Sequence, residues 1–286
     1  SNMSAPRVSF EFFPPKTPEA EASLWKTVER LAPLNPEFVS VTYGADGSTR
    51  ERTHQVIESI LTKTELKPVP HLTCVGAPRD EIDTIADDYW SMGVRQIVAL
   101  RGDPEGGAEG DYQPHPNGYA YASDLVEGLL AKHPFELFIA AYPETHPQAI
   151  SADTDLDNLK RKVDAGGHRA ITQFFFDNAI FLRFRDRVAA ANINVELIPG
   201  ILPVTNFNTL VRFADACGAS IPATLKTLFE GLDEDPSTRQ LIAAHAAVSQ
   251  AEDLGREGVN DFHFYTLNRA DLSFAVCHAL GVRGNA

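Results

Sequence analysis

The chain has 286 residues, 43% apolar and 22% charged, a globular balance with length for one large domain or two small ones. Its 25 Lys and Arg stand against 39 Asp and Glu, and the resulting charge of −14 repels a phosphate backbone, which argues against a nucleic-acid partner. Cys74, Cys217 and Cys277 lie far apart without a CxxC pair, so they read as reduced thiols of a cytoplasmic protein rather than a disulfide frame or zinc site. No apolar run approaches the roughly 20 residues of a membrane span, no basic n-region precedes an apolar stretch, and Ser1-Asn2 ahead of Met3 reads as an expression remnant.

Short β-branched or aromatic runs alternate with longer stretches of helical apolar spacing, the rhythm of βα units and a parallel sheet. Strands are expected at Val8–Phe12, Phe38–Thr42, Val69–Thr73, Gln96–Leu100, Leu137–Ala141, Ala170–Phe174, Val195–Ile198 and Phe262–Tyr265. The helices that follow them are expected near Pro18–Leu31, Thr49–Thr62, Arg79–Met92, Tyr121–Lys132, Thr154–Ala165, Asn178–Ala190, Asn206–Ala216 and Arg269–Leu280, several opened by Ser, Thr, Asp or Asn caps. Two further helical stretches, Ile221–Phe229 and Ser237–Leu254, are an insertion between the seventh helix and the last strand.

Eight βα units at this length predict a single α/β domain, a (β/α)8 TIM barrel over residues 1–286, with the extra helices inserted late. The competing doubly wound sheet would carry GxGxxG after the first strand, where this chain has Phe13-Pro14-Pro15. A barrel places its chemistry where strands end, and those positions are polar: Glu11, Thr42-Tyr43-Gly44, His71, Arg101-Gly102-Asp103, Tyr142-Pro143-Glu144-Thr145-His146, Gln173 and Tyr265. Glu11 lies between Phe10 and Phe12 in sequence, and an apolar setting favours the neutral carboxyl, so it is a candidate general acid.

Several chemistries are disfavoured. No lysine projects from a strand to form a Schiff base, and GxSxG, HExxH and GxxxxGK[ST] do not occur. A metal site built from His71, Asp103, Glu144, His146 and His263 stays open as an alternative, that of a metal-dependent barrel hydrolase. Lys160-Arg161-Lys162 has two readings, a pyrophosphate cradle or a solvated face paired with Asp155, Asp157 and Asp164.

Seven segments together carry a resemblance: Ser9–Pro15 (SFEFFPP), Val39–Ala45 (VSVTYGA), Pro70–Cys74 (PHLTC), Ala99–Asp103 (ALRGD), Ala141–Glu144 (AYPE), Ile171–Asp177 (ITQFFFD) and Asp261–Asn268 (DFHFYTLN). In this order, from about Val8 to Val282, the chain resembles the methylenetetrahydrofolate reductase family in its bacterial form. The resemblance implies a TIM barrel, noncovalent FAD, NADH or NADPH as co-substrate and a homo-oligomer. It implies reduction of 5,10-methylenetetrahydrofolate to 5-methyltetrahydrofolate, which supplies methyl groups for methionine synthesis.

Carried over by position, the resemblance makes Glu11 the general acid, Asp103 the carboxylate facing the pterin, and Gln173 a contact of folate and nicotinamide in turn. Flavin contacts would be Thr42, Tyr43, Ala45, His71, Arg101, Gly102, Asp103, Ala122, Tyr142, His146, Asp155, Asn158, Arg161 and Lys162. Phe213 and Arg269 would meet the nucleotide and the folate tail, and no metal is implied. The loop Pro104–Tyr119 is longer than the family pattern, and Thr209 and Gly167 depart from it. A flavin- or folate-binding carrier without turnover is the non-enzyme alternative.

Overall fold

The structure is a computed structural model that describes residues 4–43, 47–104, 111–144 and 151–284. Its strands are β1 (Arg7–Phe12), β2 (Val39–Val41), β3 (Pro68–Thr73), β4 (Gln96–Leu100), β5 (Glu136–Ala141), β6 (Arg169–Thr172), β7 (Glu196–Ile198), β8 (Gly200–Ile201) and β9 (Asp261–Tyr265). All pair in parallel, in the order β7-β6-β5-β4-β3-β2-β1-β9-β8. The two ends of that order are separated in the chain by Pro199 alone, with β7 paired to β6 and β8 to β9. The sheet therefore returns to itself as a nearly closed TIM-like barrel.

The expected seventh strand is present as β7, and Pro199 separates it from a further short strand, β8, not expected from the sequence. Pro199 has no N–H for a ladder, its carbonyl accepts from His263 N at 3.0 Å, and Gly200 N turns to the Thr172 hydroxyl at 2.9 Å. A Cβ at Gly200 would stand 2.5 Å from the Thr172 carbonyl oxygen and 2.5 Å from the Tyr265 ring, so only glycine lets the strands close here.

Helices α1 (Pro18–Leu31), α2 (Gly47–Lys63), α3 (Arg79–Met92), α4 (Ala122–Lys132), α5 (Ala152–Asp164) and α6 (Asn178–Ala190) follow the first six strands in turn. Then come α7 (Phe207–Cys217), α8 (Ala223–Phe229) and α9 (Pro236–Arg256) before β9, and α10 (Ala270–Ala279) after it. The side chains of Thr17, Ser151, Asp177, Asn206 and Asp235 each accept a backbone N–H of the helix they precede, satisfying donors that the helix cannot. Of the late helices it is α9 that packs against α6 and α10 in the outer layer, through the buried stripe Ala243, Ala247, Ala251 and Leu254. Asn178 Nδ2 donates to Gln250 O at 3.0 Å, and Gln250 Nε2 to Phe175 O at 2.8 Å, tying α9 to the start of α6.

Strand alternation sorts the interior. On β1, Val8, Phe10 and Phe12 are buried against Leu24, Val28 and Leu31 of α1 and Leu272 and Val276 of α10, whereas Ser9 and Glu11 point into the barrel. Phe38, Val69, Val98, Phe138, Ile171 and Ile198 fill the lower barrel, with the Phe38 and Phe138 rings 4.5 Å apart. Beneath them Arg169, 5.4 Å from the Phe138 ring, joins Glu37 at 3.0 Å and Glu196 at 3.2 Å, and Arg7 meets Asp261 through two 2.8 Å contacts. The barrel is sealed by charge at one end and filled with carbon above it, and it becomes polar toward the C-terminal ends of its strands.

Candidate active site

The polar end begins at His263, which is fully buried. Its Nδ1 lies 2.8 Å from Ser9 Oγ and its Nε2 3.4 Å from Ser40 Oγ, while its ring stacks on Phe38 at 5.4 Å. Burial pushes its pKa down to about 4, so the ring is neutral near pH 7. The alternation that aims Glu11 inward also aims Ser9 inward, which is how this serine could have been noticed in the sequence.

Next along β1, Glu11 pairs in register with Ser40 and Tyr265. Its carboxylate Oε1 is 3.3 Å from His71 Nε2, with side-chain exposures of 19% and 13%. Phe10 and Phe12 do not surround this carboxylate, because neighbouring residues of a strand face opposite sides. The expected apolar setting of Glu11 is therefore corrected: its neighbours are His71 and Tyr265. Tyr265 donates its hydroxyl to Thr172 O at 2.6 Å, and burial holds its pKa well above the usual 10.

Around the rim, strand six ends at Thr172 and leaves Gln173 just past it, with its Oε1 accepting from Phe174 N at 3.0 Å. Gly102 has φ +86, and a Cβ there would stand 2.6 Å from Val75 Cγ1, so the chain after β4 passes Val75 as only glycine can. Arg101 lies over the Tyr112 ring at 4.3 Å and donates to Gly102 O at 3.2 Å; Asp103 is exposed. Tyr112 belongs to the long loop and carried no signal of its own in the sequence.

The basic run of α5 divides by its helical angles. Lys160 pairs with Asp164 at 2.7 Å in solvent, and Arg161 donates to the exposed Asn158 at 2.6 Å. Lys162 turns inward, where its Nζ donates to Ala140 O at 2.6 Å and lies 5.7 Å from the Tyr142 ring. Desolvation lowers its pKa to about 8, opposed by nearby Asp155; burial raises that of Tyr142 to about 12. Ala122 begins α4 and Asp155 lies in the first turn of α5.

Thr42 follows β2, with its carbonyl taking the Thr53 hydroxyl at 2.8 Å. Tyr43 lines a cavity of about 560 Å³ together with Arg50, His54, Glu81 and Tyr89, and its buried hydroxyl has no partner among the described residues. Ala45 and His146 lie outside the described residues. Phe213 packs with Phe174, Phe176, Leu202, Leu210 and Tyr265 in an apolar cluster under α7. Arg269, exposed at the start of α10, donates to Thr205 Oγ1 at 2.8 Å.

The metal alternative finds no support in this arrangement. His263 is held by two serines, Glu144 accepts from Ser220 N at 2.7 Å, and among the described residues no three His, Cys, Asp or Glu side chains converge as ligands. A large anionic cofactor does suit the rim. Lys162 is a desolvated cation, and the buried Tyr43 hydroxyl has no partner among the described residues.

A family model described as methylenetetrahydrofolate reductase matches residues 2–281. The chain is 56% identical over 277 residues to 5,10-methylenetetrahydrofolate reductase of Salmonella typhimurium, spanning 96% of this chain and 91% of the relative. The same figures hold for that of Escherichia coli K12. Methylenetetrahydrofolate reductase (NADH) 1 of Arabidopsis thaliana is 34% identical over 285 residues, 96% of this chain and 48% of that protein. In fold, the chain is similar to a Clostridium thermocellum protein that binds two copies of 5-methyl-5,6,7,8-tetrahydrofolic acid, with TM-score 0.64 at 13% identity over 97% and 95% of the two chains. With a family match and high identity over nearly its whole length, the chain belongs to the methylenetetrahydrofolate reductase family.

Proposed function

We propose that the protein is a flavin-dependent reductase that uses NADH or NADPH to convert 5,10-methylenetetrahydrofolate to 5-methyltetrahydrofolate, the methyl donor for methionine synthesis. The observation that carries this reading is the inward Glu11 carboxylate against His71 at the polar end of the barrel, on the same rim as Lys162 and Gly102. FAD, bound noncovalently, would carry hydride from the nicotinamide to the folate.

The flavin's pyrophosphate would be met by Lys162 and Arg161, with Thr42, Tyr43, Ala45, His71, Arg101, Gly102, Ala122, Tyr142, His146, Asp155 and Asn158 completing its site. Glu11, protonated, delivers its proton to N10 of the folate; the C–N10 bond breaks, leaving an N5 iminium that accepts hydride. Asp103 as an anion stabilises that cation. Gln173 contacts folate and nicotinamide in turn, Phe213 packs on the nucleotide, and Arg269 takes a carboxylate of the folate tail.

Anaerobic stopped-flow measurement of the two half-reactions tests the reading. Acid precipitation should first free FAD from the protein. In Glu11→Gln, oxidation of the reduced flavin by methylenetetrahydrofolate should then fall by roughly 10² or more, the usual worth of general acid catalysis, and far more than reduction of the flavin by NAD(P)H. Equal loss in both halves would reduce Glu11 to a structural role, and folate reduction at full rate would reject it as the acid.

A further inference from the structure

A general acid that works once per turnover must recover its proton, and Glu11 lies below the rim with 19% of its side chain exposed. The group facing it is His71 on β3, whose buried Nε2 has no hydrogen-bond partner among the described residues and points within 3.3 Å of Glu11 Oε1. A histidine nitrogen left unpartnered in such a place is costly unless it carries or exchanges a proton with its neighbour.

The other titratable groups around the pair are committed elsewhere. Tyr265 on β9 gives its hydroxyl proton to Thr172 O at 2.6 Å, and its raised pKa keeps that proton in place. His263, also on β9, is held between Ser9 and Ser40 and is neutral above about pH 4, so it has no proton to lend near pH 7. Arg169 on β6 is engaged with Glu37 and Glu196 at the far end of the barrel. Arg101 donates to Gly102 O and lies over Tyr112, and Asp103 is exposed at the rim.

We propose that His71 is the proton partner of Glu11: the imidazolium passes its Nε2 proton to the Glu11 carboxylate left after catalysis, and is reprotonated by water at the barrel mouth. One proton moves from nitrogen to oxygen, one is taken up from solvent, and no electrons are transferred. This rests on the reading of Glu11 as the acid. It adds to the flavin contact implied for His71 a role through its other neighbour, and it makes His71 a positioning and relay residue.

Two measurements test the relay. The first needs no turnover: ring-nitrogen NMR signals of ¹⁵N-labelled His71 near pH 7 should differ between the wild-type protein and Glu11→Gln, because the neutral amide cannot share the proton. Unchanged signals overturn the proposal. The second uses flavin-loaded His71→Gln, whose amide can still hydrogen-bond to Glu11 but cannot relay a proton. Its folate half-reaction should slow about 10-fold or more and lose one limb of its pH profile, and added imidazole should restore several-fold the rate of His71→Ala.

Wild-type speed and profile in His71→Gln would show that His71 only orients Glu11, which also overturns the relay. If Glu11→Gln reduces folate normally, the reading of Glu11 fails and the relay fails with it; if Glu11→Gln is slow and His71→Gln is not, only the relay fails. Should both His71 variants lose flavin, the ring-nitrogen comparison decides, since it is made on native His71.

Discussion

The side-chain amide of Asn268 brackets the backbone of Phe13, accepting its N–H at 3.2 Å and donating to its carbonyl at 2.9 Å. Just before it, the Thr266 hydroxyl donates to Glu11 O at 2.7 Å, and from α1 Thr27 donates to Asn268 O at 2.9 Å. The amide thus continues the β1–β9 ladder past the end of both strands and fixes the main chain that carries Glu11. To do so, Leu267 and Asn268 adopt φ values of 51° and 54°, a left-handed turn that asparagine adopts at lower cost than leucine.

Asn268→Ala removes both bonds and keeps the strained backbone, so it should lower stability by about 2 kcal/mol in urea unfolding. Asn268→Gly removes the same bonds and relieves the φ cost, and should recover about 1 kcal/mol of that loss. Equal loss in the two variants would mean that the left-handed turn carries no strain.

His263 links stability to pH. Its folded pKa of about 4 lies below the ordinary 6.5, so its contribution is complete above pH 6.5 and is lost as pH falls toward 4. The full swing is about 3 kcal/mol, since each tenfold change in proton affinity is worth about 1.4 kcal/mol. Urea midpoints at pH 7 and pH 4.5 should therefore lie closer together in His263→Gln than in the wild-type protein. An identical acid response would assign the loss to the carboxylates.

Two glycines separate backbone strain from crowding. Gly93 ends α3 at φ +105 with nothing within 4 Å of the place a Cβ would occupy, so Gly93→Ala should cost about 1 kcal/mol. Gly102, at φ +86, also faces Val75 and Thr73 at 2.6 and 2.9 Å, so Gly102→Ala should cost about 2 kcal/mol more and weaken the flavin binding proposed beside Arg101. Thermal melts and flavin titration of both variants measure this; matching melts would show that the β4 loop yields without cost.

At the opposite end, Arg169 is 14% exposed among three carboxylates, at 3.0 Å from Glu37, 3.2 Å from Glu196 and 3.8 Å from Asp261. Arg169→Met leaves Arg7 alone to balance them and should destabilise by about 2 kcal/mol, less than for a fully buried pair because the acids are partly solvated. The loss should shrink in high salt, where carboxylate repulsion is screened. A salt-independent loss would point to the packing of Arg169 on Phe38 and Phe138 instead.

Much of this protein is legible in the chain alone. Period-two and period-3.6 patterns are local consequences of backbone geometry, so the parallel strands and their helices are readable within a few residues. The seven motif segments likewise carry the family without coordinates. The short strand β8 is missed in the sequence because it lies just past Pro199 and pairs with β9 while β7 pairs with β6, and a pairing partner is not a local property.

Only the folded chain decides what each polar group faces. Flanking phenylalanines suggested an apolar setting for Glu11, but they point to the helices while Glu11 meets His71, a residue 60 positions away, across the barrel interior. Three adjacent basic residues looked alike, yet the 100° between successive helix positions left Lys160 in solvent and turned Lys162 inward toward Ala140. Composition and spacing specify which groups lie on which face of an element. Contacts between elements, the loss of water around them and the resulting proton affinities arise only when the strands close the barrel, because electrostatic environment depends on distance through space and not along the chain.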